Sequence, residues 1–199
     1  MALSEEQRLN MIKRRENILH SAISLFAAEG YEGTTIKKIA ASAEVSFGNV
    51  FTYFKDKQQL FYASVVEPLS NYSEQMLDFN AEAEDPIAEL KKTITKHITL
   101  FSAAQDFLTL VVMVVGQPHR FPEPFEQLDQ FHDQLREKIS RLIINGQQKG
   151  LLMKQESLPL ATVYTSLLIG LRLNSTDARY SDMWEKFNSS VLQLFGPIN

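Results

Sequence analysis

Apolar residues recur at intervals of three and four positions along the whole chain, and this spacing constrains the fold more than any other feature. Ile18, Ala22 and Phe26, for example, fall on one face of a helix. No alternating apolar and polar run predicts a strand, and the Asn145-Gly146 pair falls at the fraying end of a predicted helix rather than in a hairpin. The sequence therefore predicts an all-α fold of about nine helices.

Local signals predict where some of these helices begin and end. Gly30 favours the end of the first long helix in a left-handed conformation, and the hydroxyls of Thr34 and Thr35 are suited to cap the next helix. Asp56, followed three residues later by Gln59, predicts a helix start of the capping-box type.

Composition narrows the class of protein. The chain has no cysteine, which excludes disulfides and thiolate metal sites, and its 44% hydrophobic and 22% charged residues are typical of a soluble globular protein. No signal peptide pattern is present, and the longest apolar run, Leu110 to Val115, is far shorter than the roughly 20 residues of a membrane span. We therefore expect a cytoplasmic protein without a membrane partner.

The net charge of −4 is unevenly distributed. Residues 1–60 hold 8 Lys and Arg against 7 Asp and Glu, and the remaining residues hold 12 against 17. The N-terminal part is therefore better suited to a polyanion, although this mild asymmetry alone does not identify a DNA-binding protein.

The pattern with the clearest function lies within residues 34–54. Two short helical segments are joined there by a tight turn at residues 43–46. The crossing of the two helices would be fixed by Ile39, Ala40, Val45 and Val50. The second helix could then project its other face into a major groove. This arrangement is typical of a helix-turn-helix.

The segment from Ile12 to Glu67 resembles the DNA-binding domain of the tetracycline-repressor (TetR) family. The matching residues stand in the family's order and spacing: Ile18, Leu19, Ala22, Leu25, Phe26, Gly30, Tyr31, Thr34, Thr35, Ile39, Ala40, Val45, Ser46, Gly48, Tyr53, Phe54, Lys57 and Leu60. The resemblance implies a transcriptional regulator with a DNA-binding domain at 12–72, its helix-turn-helix at about 35–54, packed on a helical effector-binding and dimerisation domain at 73–199. Beyond the segment, the chain resembles the family only in length and helical character.

The resemblance and the side-chain chemistry together suggest which residues hold the DNA backbone. Thr34 and Thr35 stand at a helix N-terminus, where hydroxyls and backbone N–H groups suit a phosphate. Lys37 would flank the same phosphates, and Lys57 matches the family's phosphate-binding lysine. Tyr53 offers a phenolic hydroxyl. These residues would position the domain without reading sequence.

Base reading would fall to the second helix of the helix-turn-helix, which Ser46 begins. Gly48 permits close approach to the groove. Asn49 and Thr52 carry groups that hydrogen-bond with base edges or phosphates.

Three residues depart from the family's pattern. Phe47 stands where a basic or polar residue is more common, Phe51 where tyrosine is, and Glu44 where glycine is. Phe47 is able to press on a thymine methyl group instead. The operator sequence therefore does not transfer from relatives.

Two apolar stripes near the C-terminus are the candidates for a dimer interface. They comprise Tyr164, Leu167, Leu168 and Leu171 on one helix and Trp184, Phe187 and Val191 on the next. Paired across a homodimer they would form the four-helix bundle that the resemblance implies, with recognition helices reading half-sites of a palindromic operator about one helical turn (~34 Å) or more apart. The alternative is that both stripes complete the core of one chain.

The resemblance also implies a small-molecule effector that releases a repressor from double-stranded operator DNA. Its candidate contacts are His97, Phe101, Phe107, Met113, Phe121, Phe125 and Phe131, which suit an apolar or aromatic molecule. The alternative is that His97 is a hydrogen-bonded core residue and that the aromatic residues belong to the core.

Two other classes of protein compete with a regulator. A di-metal enzyme needs paired Glu-x-x-His helices, and the chain offers one loose match, at residues 129–132, with no catalytic serine or phosphate-loop motif. We therefore expect no enzyme, metal or cofactor. A helical ligand-binding or interaction module that no longer binds DNA stays open, favoured by Phe47, Phe51 and the weak basic charge.

Overall fold

The structure is a computed structural model that describes residues 4–174 and 184–197, without the side chains of 172–174 and 184–185. Within these ranges the chain forms nine helices and no β-strand, so the all-α prediction is confirmed. The helices are α1 Glu5–Gly33, α2 Ile36–Ser42, α3 Phe47–Val50, α4 Lys57–Leu77, α5 Pro86–Ala103, α6 Gln105–Val115, α7 Pro122–Gln148, α8 Ser157–Asn174 and α9 Trp184–Gln193.

Helix α1 begins in a capping box and is broken near its end. The Ser4 hydroxyl accepts a hydrogen bond from the Gln7 backbone N–H, and the Gln7 side chain accepts one from the Ser4 N–H. Gly30 has φ 73° and ψ 173°, which interrupts the helix before one further turn. The expected break at Gly30 is therefore found, with an extended ψ rather than the left-handed helical value. Residues other than glycine rarely adopt this positive φ.

The chain divides into two compact units. The first runs to Leu69 and also holds Thr109–Phe125; the second comprises Ser70–Leu108 and the residues from Glu126 onward. The division between Leu69 and Ser70 falls inside α4. The domain bounds 12–72 and 73–199 stay a prediction. The sequence did not indicate that Thr109–Phe125 groups with the first unit.

In the first unit, α1 packs on α2 and α2 packs on α3. Ile18, Phe26, Ile39 and Val50 are completely buried. Burial of each such side chain contributes about 1.5–3 kcal/mol relative to leaving it in water. This core holds α2 and α3 in their crossing.

In the second unit, α5 packs against α8 and α9. The start of α5 is capped by Asp85, whose Oδ1 accepts hydrogen bonds from the N–H groups of Ile87 and Ala88, both at 3.0 Å. The buried core of this unit comprises Met76, Phe79, Ala81, Leu90, Ile94, Ile98, Leu135, Ile139, Leu142, Ile143, Leu152, Leu160, Ala161, Tyr164, Leu168, Val191 and Phe195.

The Asn145-Gly146 pair is packed inside the second unit, so the expectation of a fraying helix end there is wrong. Both residues are buried within α7, and Asn145 Nδ2 donates to the carbonyl oxygens of Ala81 and Ala83. A Cβ atom at Gly146 would lie 2.6 Å from Leu152 Cδ1, so any larger residue there would force the buried Leu152 side chain to shift.

Candidate nucleic-acid interface

The turn between α2 and α3 is held by backbone and side-chain hydrogen bonds. The Val45 N–H donates to the Ala40 carbonyl oxygen at 3.0 Å. Asn17 of α1 donates from Nδ2 to the Ala43 carbonyl oxygen at 2.8 Å, a contact that the sequence pattern did not indicate. The turn is therefore tied to α1 as well as to the two helices that it joins.

Glu44 is the residue of this turn with a positive φ, 54°, and no other non-glycine residue in the described ranges has one. For an L-residue this left-handed conformation costs about 1–2 kcal/mol. The departure from glycine noted in the sequence therefore falls where the backbone favours glycine.

Helix α3 has a buried side and a side in solvent. Val50 is completely buried and Phe54, just beyond the helix, is 2% exposed. Phe47 and Phe51 are 55% and 44% exposed. The helix thus packs with its aliphatic residue, while Phe47 and the C-cap residue Phe51 are exposed, as a recognition helix exposes the face that enters DNA.

Phe47 and Phe51 form an aromatic pair. Their ring centroids lie 5.2 Å apart, and the ring planes meet at 70°. This edge-to-face geometry is a favoured arrangement for two rings, so each side chain restrains the other.

The two threonines before α2 have different surroundings. Thr35 is exposed and caps α2, its hydroxyl accepting a hydrogen bond from the Lys38 N–H at 3.2 Å. Thr34 is completely buried, and its hydroxyl donates to the carbonyl oxygens of Leu25 and Gly30. A phosphate contact by the Thr34 side chain is therefore contradicted, because that hydroxyl is enclosed and already bonded within the chain.

The lysines near α2 differ in the same way. Lys38 Nζ contacts Glu29 Oε2 at 2.6 Å and the Gly33 carbonyl oxygen at 2.9 Å. Lys37 is exposed and forms no ion pair with any residue in the described ranges. Its ammonium group is thus available for a phosphate.

Lys57 is partly covered at the first position of α4. Its Nζ lies 4.3 Å from the centre of the Tyr31 ring, a distance within the range of a cation–π contact. The expected cap of this helix is found in a related form: Asp56 Oδ1 accepts from the Gln59 N–H at 2.7 Å, while Gln59 Oε1 accepts from Lys55 N–H instead of the Asp56 N–H. The Asp56 cap positions the start of α4, and the contact with the Tyr31 ring positions the Lys57 ammonium group.

The remaining candidates around α3 are less uniform. Ser46, Gly48 and Thr52 are exposed, and Tyr53 is half-buried. A Cβ atom at Gly48 would meet nothing within 4 Å, so the chain itself does not require glycine there. Asn49 Oδ1 is buried without a hydrogen-bond partner among the described residues. Bidentate contact with an adenine, which uses both ends of the amide, would require the Asn49 side chain to turn.

An ion pair on α1 and α4 was missed by the sequence reasoning. Arg15 Nη1 donates to Glu67 Oε2 at 2.9 Å and Nη2 contacts Glu67 Oε1, while the guanidinium lies 4.9 Å from the Phe54 ring centre. The residues stand 52 positions apart, so no local pattern indicates the contact.

The first unit also holds an aromatic cluster that includes one proposed effector residue. The Phe121 ring lies 4.7 Å from Phe61 and 5.4 Å from Tyr31. Arg120 lies 5.4 Å from the Tyr31 ring centre and pairs with Glu32. A cleft of about 200 Å³ borders these residues and contains none of the other six effector candidates.

The seven effector candidates do not form one site within either unit. His97, Phe101, Phe107 and Phe131 belong to the second unit, and Met113, Phe121 and Phe125 to the first. Phe107 stacks on Tyr72 at 4.8 Å, and Phe101 and Phe131 pack against the buried core.

His97 is a hydrogen-bonded core residue, as the alternative interpretation held. Its Nε2 lies 2.8 Å from the Met76 carbonyl oxygen, and its Nδ1 lies 2.8 Å from the Tyr164 hydroxyl. A carbonyl oxygen accepts only, so Nε2 carries the ring hydrogen and Nδ1 accepts from the Tyr164 O–H. Burial, aided by the charge of Lys96, lowers the pKa of His97 from 6.5 to about 4, so the ring is neutral near pH 7.

The candidate dimer residues are divided between core and surface. Tyr164, Leu168 and Val191 are at most 3% exposed inside the single chain, so their assignment to an interface is corrected. Leu167, Leu171 and Phe187 are half-buried against the same core. The Trp184 side chain lies outside the described residues.

Across 4–174 and 184–197, no group of three or more His, Asp or Glu side chains is arranged to hold a metal ion. No single helix there has the length and hydropathy to span a membrane; the pair α5 and α6, bent by 90° at its junction, meets the length and composition criteria when taken together.

Sequence comparisons match the N-terminal part of the chain to one family. Residues 18–63 match the model described as bacterial regulatory proteins, tetR family. The transcriptional regulator HbdR of Aromatoleum sp. (strain CIB) is 29% identical over 98 residues, which cover 49% of this chain and 43% of HbdR. The chain spans about half the length of the curated relatives it matches.

Solved structures match nearly the whole chain. A bacterial regulatory protein in the tetR family from Rhodococcus RHA1 has a TM-score of 0.81 at 22% identity, covering 94% of this chain and 99% of that one. AibR, solved in complex with isovaleryl coenzyme A and operator DNA, has a TM-score of 0.73 at 18% identity, covering 93% and 100%. At these identities the likeness shows a shared fold.

Proposed function

Because the chain belongs to the TetR family of bacterial regulatory proteins, we propose that it is a sequence-specific DNA-binding transcriptional regulator. More narrowly, we propose a ligand-responsive repressor that binds a palindromic operator as a homodimer and is released by a small molecule. A cytoplasmic location belongs with this proposal, because a bacterial regulator meets its operator there.

The observation that carries the proposal is the two-sided helix-turn-helix of α2 and α3. Ile39 and Val50 are buried in the first unit, while Phe47 and Phe51 are in solvent. In a helix-turn-helix the first residues of the second helix contact base edges. Phe47, the first residue of α3, has the position and the exposure for that contact.

The phosphate contacts in this proposal rest on exposed groups around the same helices. Thr35 stands at the start of α2 with Lys37 beside it, and both are exposed. Lys57 stands at the start of α4, held against Tyr31. Such contacts position a protein on DNA and make its affinity dependent on salt.

The small size of one reading module supports the proposed homodimer. Helix α3 has four residues, Phe47–Val50, so one module reaches few base pairs. Two modules related by two-fold symmetry would double the contacts and read a palindrome. We propose that the half-buried residues Leu167, Leu171 and Phe187 take part in the interface, in place of the fully buried residues of α8 and α9.

The effector is proposed for the second unit. AibR was solved with isovaleryl coenzyme A. We therefore choose acyl-coenzyme A thioesters as the first compounds to test as effectors of this chain. The measurement is release of fluorescent operator DNA on titration with isovaleryl coenzyme A. Release at micromolar concentration would support the class, and unchanged binding at saturating thioester would exclude this compound.

The proposal is tested by selecting bound duplexes from a random DNA pool with the purified full chain at near-physiological salt. A regulator of this kind enriches a two-fold-symmetric site, bound by two chains as measured by light scattering of the complex. Enrichment of a single asymmetric half-site would overturn the dimeric part. A folded protein that enriches no sequence in the absence or presence of isovaleryl coenzyme A would count against DNA binding.

One observation favours the alternative of an interaction module. An exposed aromatic pair, Phe47 and Phe51, is also what a protein partner would bind. The same selection separates the two functions, because an interaction module has no preferred DNA sequence.

A further inference from the structure

The large exposed side chains of α3 and its C-cap are aromatic, where a base-reading helix usually carries hydrogen-bonding groups. Phe47 and Phe51 have 55% and 44% of their surface in solvent, although neither ring can form a conventional hydrogen bond with a base edge. Their 5.2 Å edge-to-face contact holds the two rings together as one ridge.

The carbonyl oxygen of the one amide side chain in α3 is buried, although the residue as a whole is partly exposed. Asn49 lies between the two phenylalanines in sequence, and its Oδ1 is buried without a partner in the described ranges. Gly48, also between them, has no side chain and leaves open space around its Cα. The phenylalanine rings are therefore the large groups that α3 presents outward.

The major groove offers one apolar group for such a ridge to contact. Among base edges in that groove, guanine, adenine and cytosine present hydrogen-bond donors or acceptors, and thymine adds a C5 methyl group. An aromatic ring that covers this methyl removes apolar surface from water on both sides. A ring facing any other base would cover a polar edge without satisfying it.

We infer that Phe47 and Phe51 read thymine methyl groups in each operator half-site, and that this apolar contact is the main base-specific interaction of α3. The inference rests on the proposed DNA-binding function. It names the bases that the recognition helix prefers.

The test replaces thymine by deoxyuridine, which removes the methyl group and leaves the base-pairing edge unchanged. Each thymine of the selected operator is replaced in turn, and the affinity of the full chain is measured by fluorescence anisotropy at constant salt. One or two positions per half-site should weaken binding about fourfold each, equivalent to one methylene group no longer buried.

Variants of Phe47 and Phe51 then test whether the sensitivity to the thymine methyl group depends on these rings. With Phe47→Ala or Phe51→Ala, the ratio of thymine to deoxyuridine affinity at the sensitive position should fall from about four to about one. The control Leu158→Ala removes a side chain that is 52% exposed, in the second unit, and should keep the ratio near four. Phe47→Leu, which retains an apolar side chain, gives an intermediate ratio and guards against a folding defect in the alanine variants.

The outcomes distinguish this inference from the function on which it rests. Specific binding that is indifferent to every deoxyuridine, or equally sensitive in the phenylalanine variants, overturns the methyl contact while DNA binding stands. Absence of any preferred DNA site overturns both. Loss of self-association in Phe47→Ala, without a change in deoxyuridine sensitivity, assigns the ridge to a protein contact and overturns the inference.

Discussion

Acid should destabilise the folded chain through His97, whose imidazole is enclosed between Met76 and Tyr164. Burial lowers the pKa of His97 from 6.5 to about 4, so the folded chain keeps the ring neutral at pH values where the unfolded chain protonates it. The stability gained from the neutral ring is complete above about pH 6.5 and is lost as the pH falls toward 4.

The size of the effect follows from the shift in the pKa. At 1.36 kcal/mol per pKa unit, the shift of about 2.5 units corresponds to about 3 kcal/mol in the free energy of unfolding. About 2 kcal/mol of this should be lost between pH 7.5 and pH 5. The loss begins at about pH 6.5, where the unfolded chain takes up the proton, and pH 5 is about 1.5 pH units lower but still above the pKa of the folded chain.

The assay is urea unfolding at pH 7.5 and pH 5, followed by circular dichroism. His97→Gln removes the titrating ring, and the matched control His119→Gln removes an exposed histidine. His132, whose pKa is also lowered by burial, is present in both variants. The control should lose about 2 kcal/mol more than His97→Gln over this interval. Equal losses in the two variants, or an NMR titration showing the wild-type His97 ring protonated at pH 5.5, would show that the folded chain does not keep this ring neutral in acid.

Substitutions at four further positions test the roles of single residues. Tyr164→Phe removes the donor to His97 Nδ1 and should lower the free energy of unfolding by about 1–3 kcal/mol in urea. Glu44→Gly should raise it by about 0.5–1 kcal/mol because φ is positive there, whereas Glu44→Ala, which keeps the Cβ atom, should not. Gly48→Ala should fold at least as stably, yet weaken operator binding in anisotropy titrations if the helix approaches the groove closely. Lys57→Ala should weaken binding and reduce the slope of log affinity against log salt by about one; an unchanged slope would remove Lys57 from the phosphate contacts.

The helices were predictable because their signals are local. Gly30 interrupts α1 through its own positive φ, and Asp56 begins α4 through a hydrogen bond from the N–H of Gln59, three positions on. The helix-turn-helix was predictable for the same reason, because the positions of Ile39 and Val50 within their own short helices determine that both side chains face the core. Both lie on the buried side of their helices.

What the sequence did not disclose depends on contacts between distant residues. Apolar spacing alone does not distinguish a stripe that meets its own core from one that meets a second chain, so Tyr164 was assigned to a dimer interface although it is completely buried. Thr34 and Thr35 are adjacent hydroxyls with equal capping chemistry, and only the fold encloses the first. The cap by Asn17 on the turn at Ala43 joins residues 26 positions apart, beyond any local pattern.

Sequence-specific DNA binding by the exposed residues of α3 and its C-cap can be measured as a ratio of two affinities. The full chain is titrated at near-physiological salt against its selected operator and against a shuffled duplex of the same length and composition. Binding to the operator should be at least about 10³-fold tighter, and Phe47→Ala should reduce this ratio while leaving affinity for the shuffled duplex nearly unchanged. Equal affinity for the two duplexes would contradict sequence-specific binding.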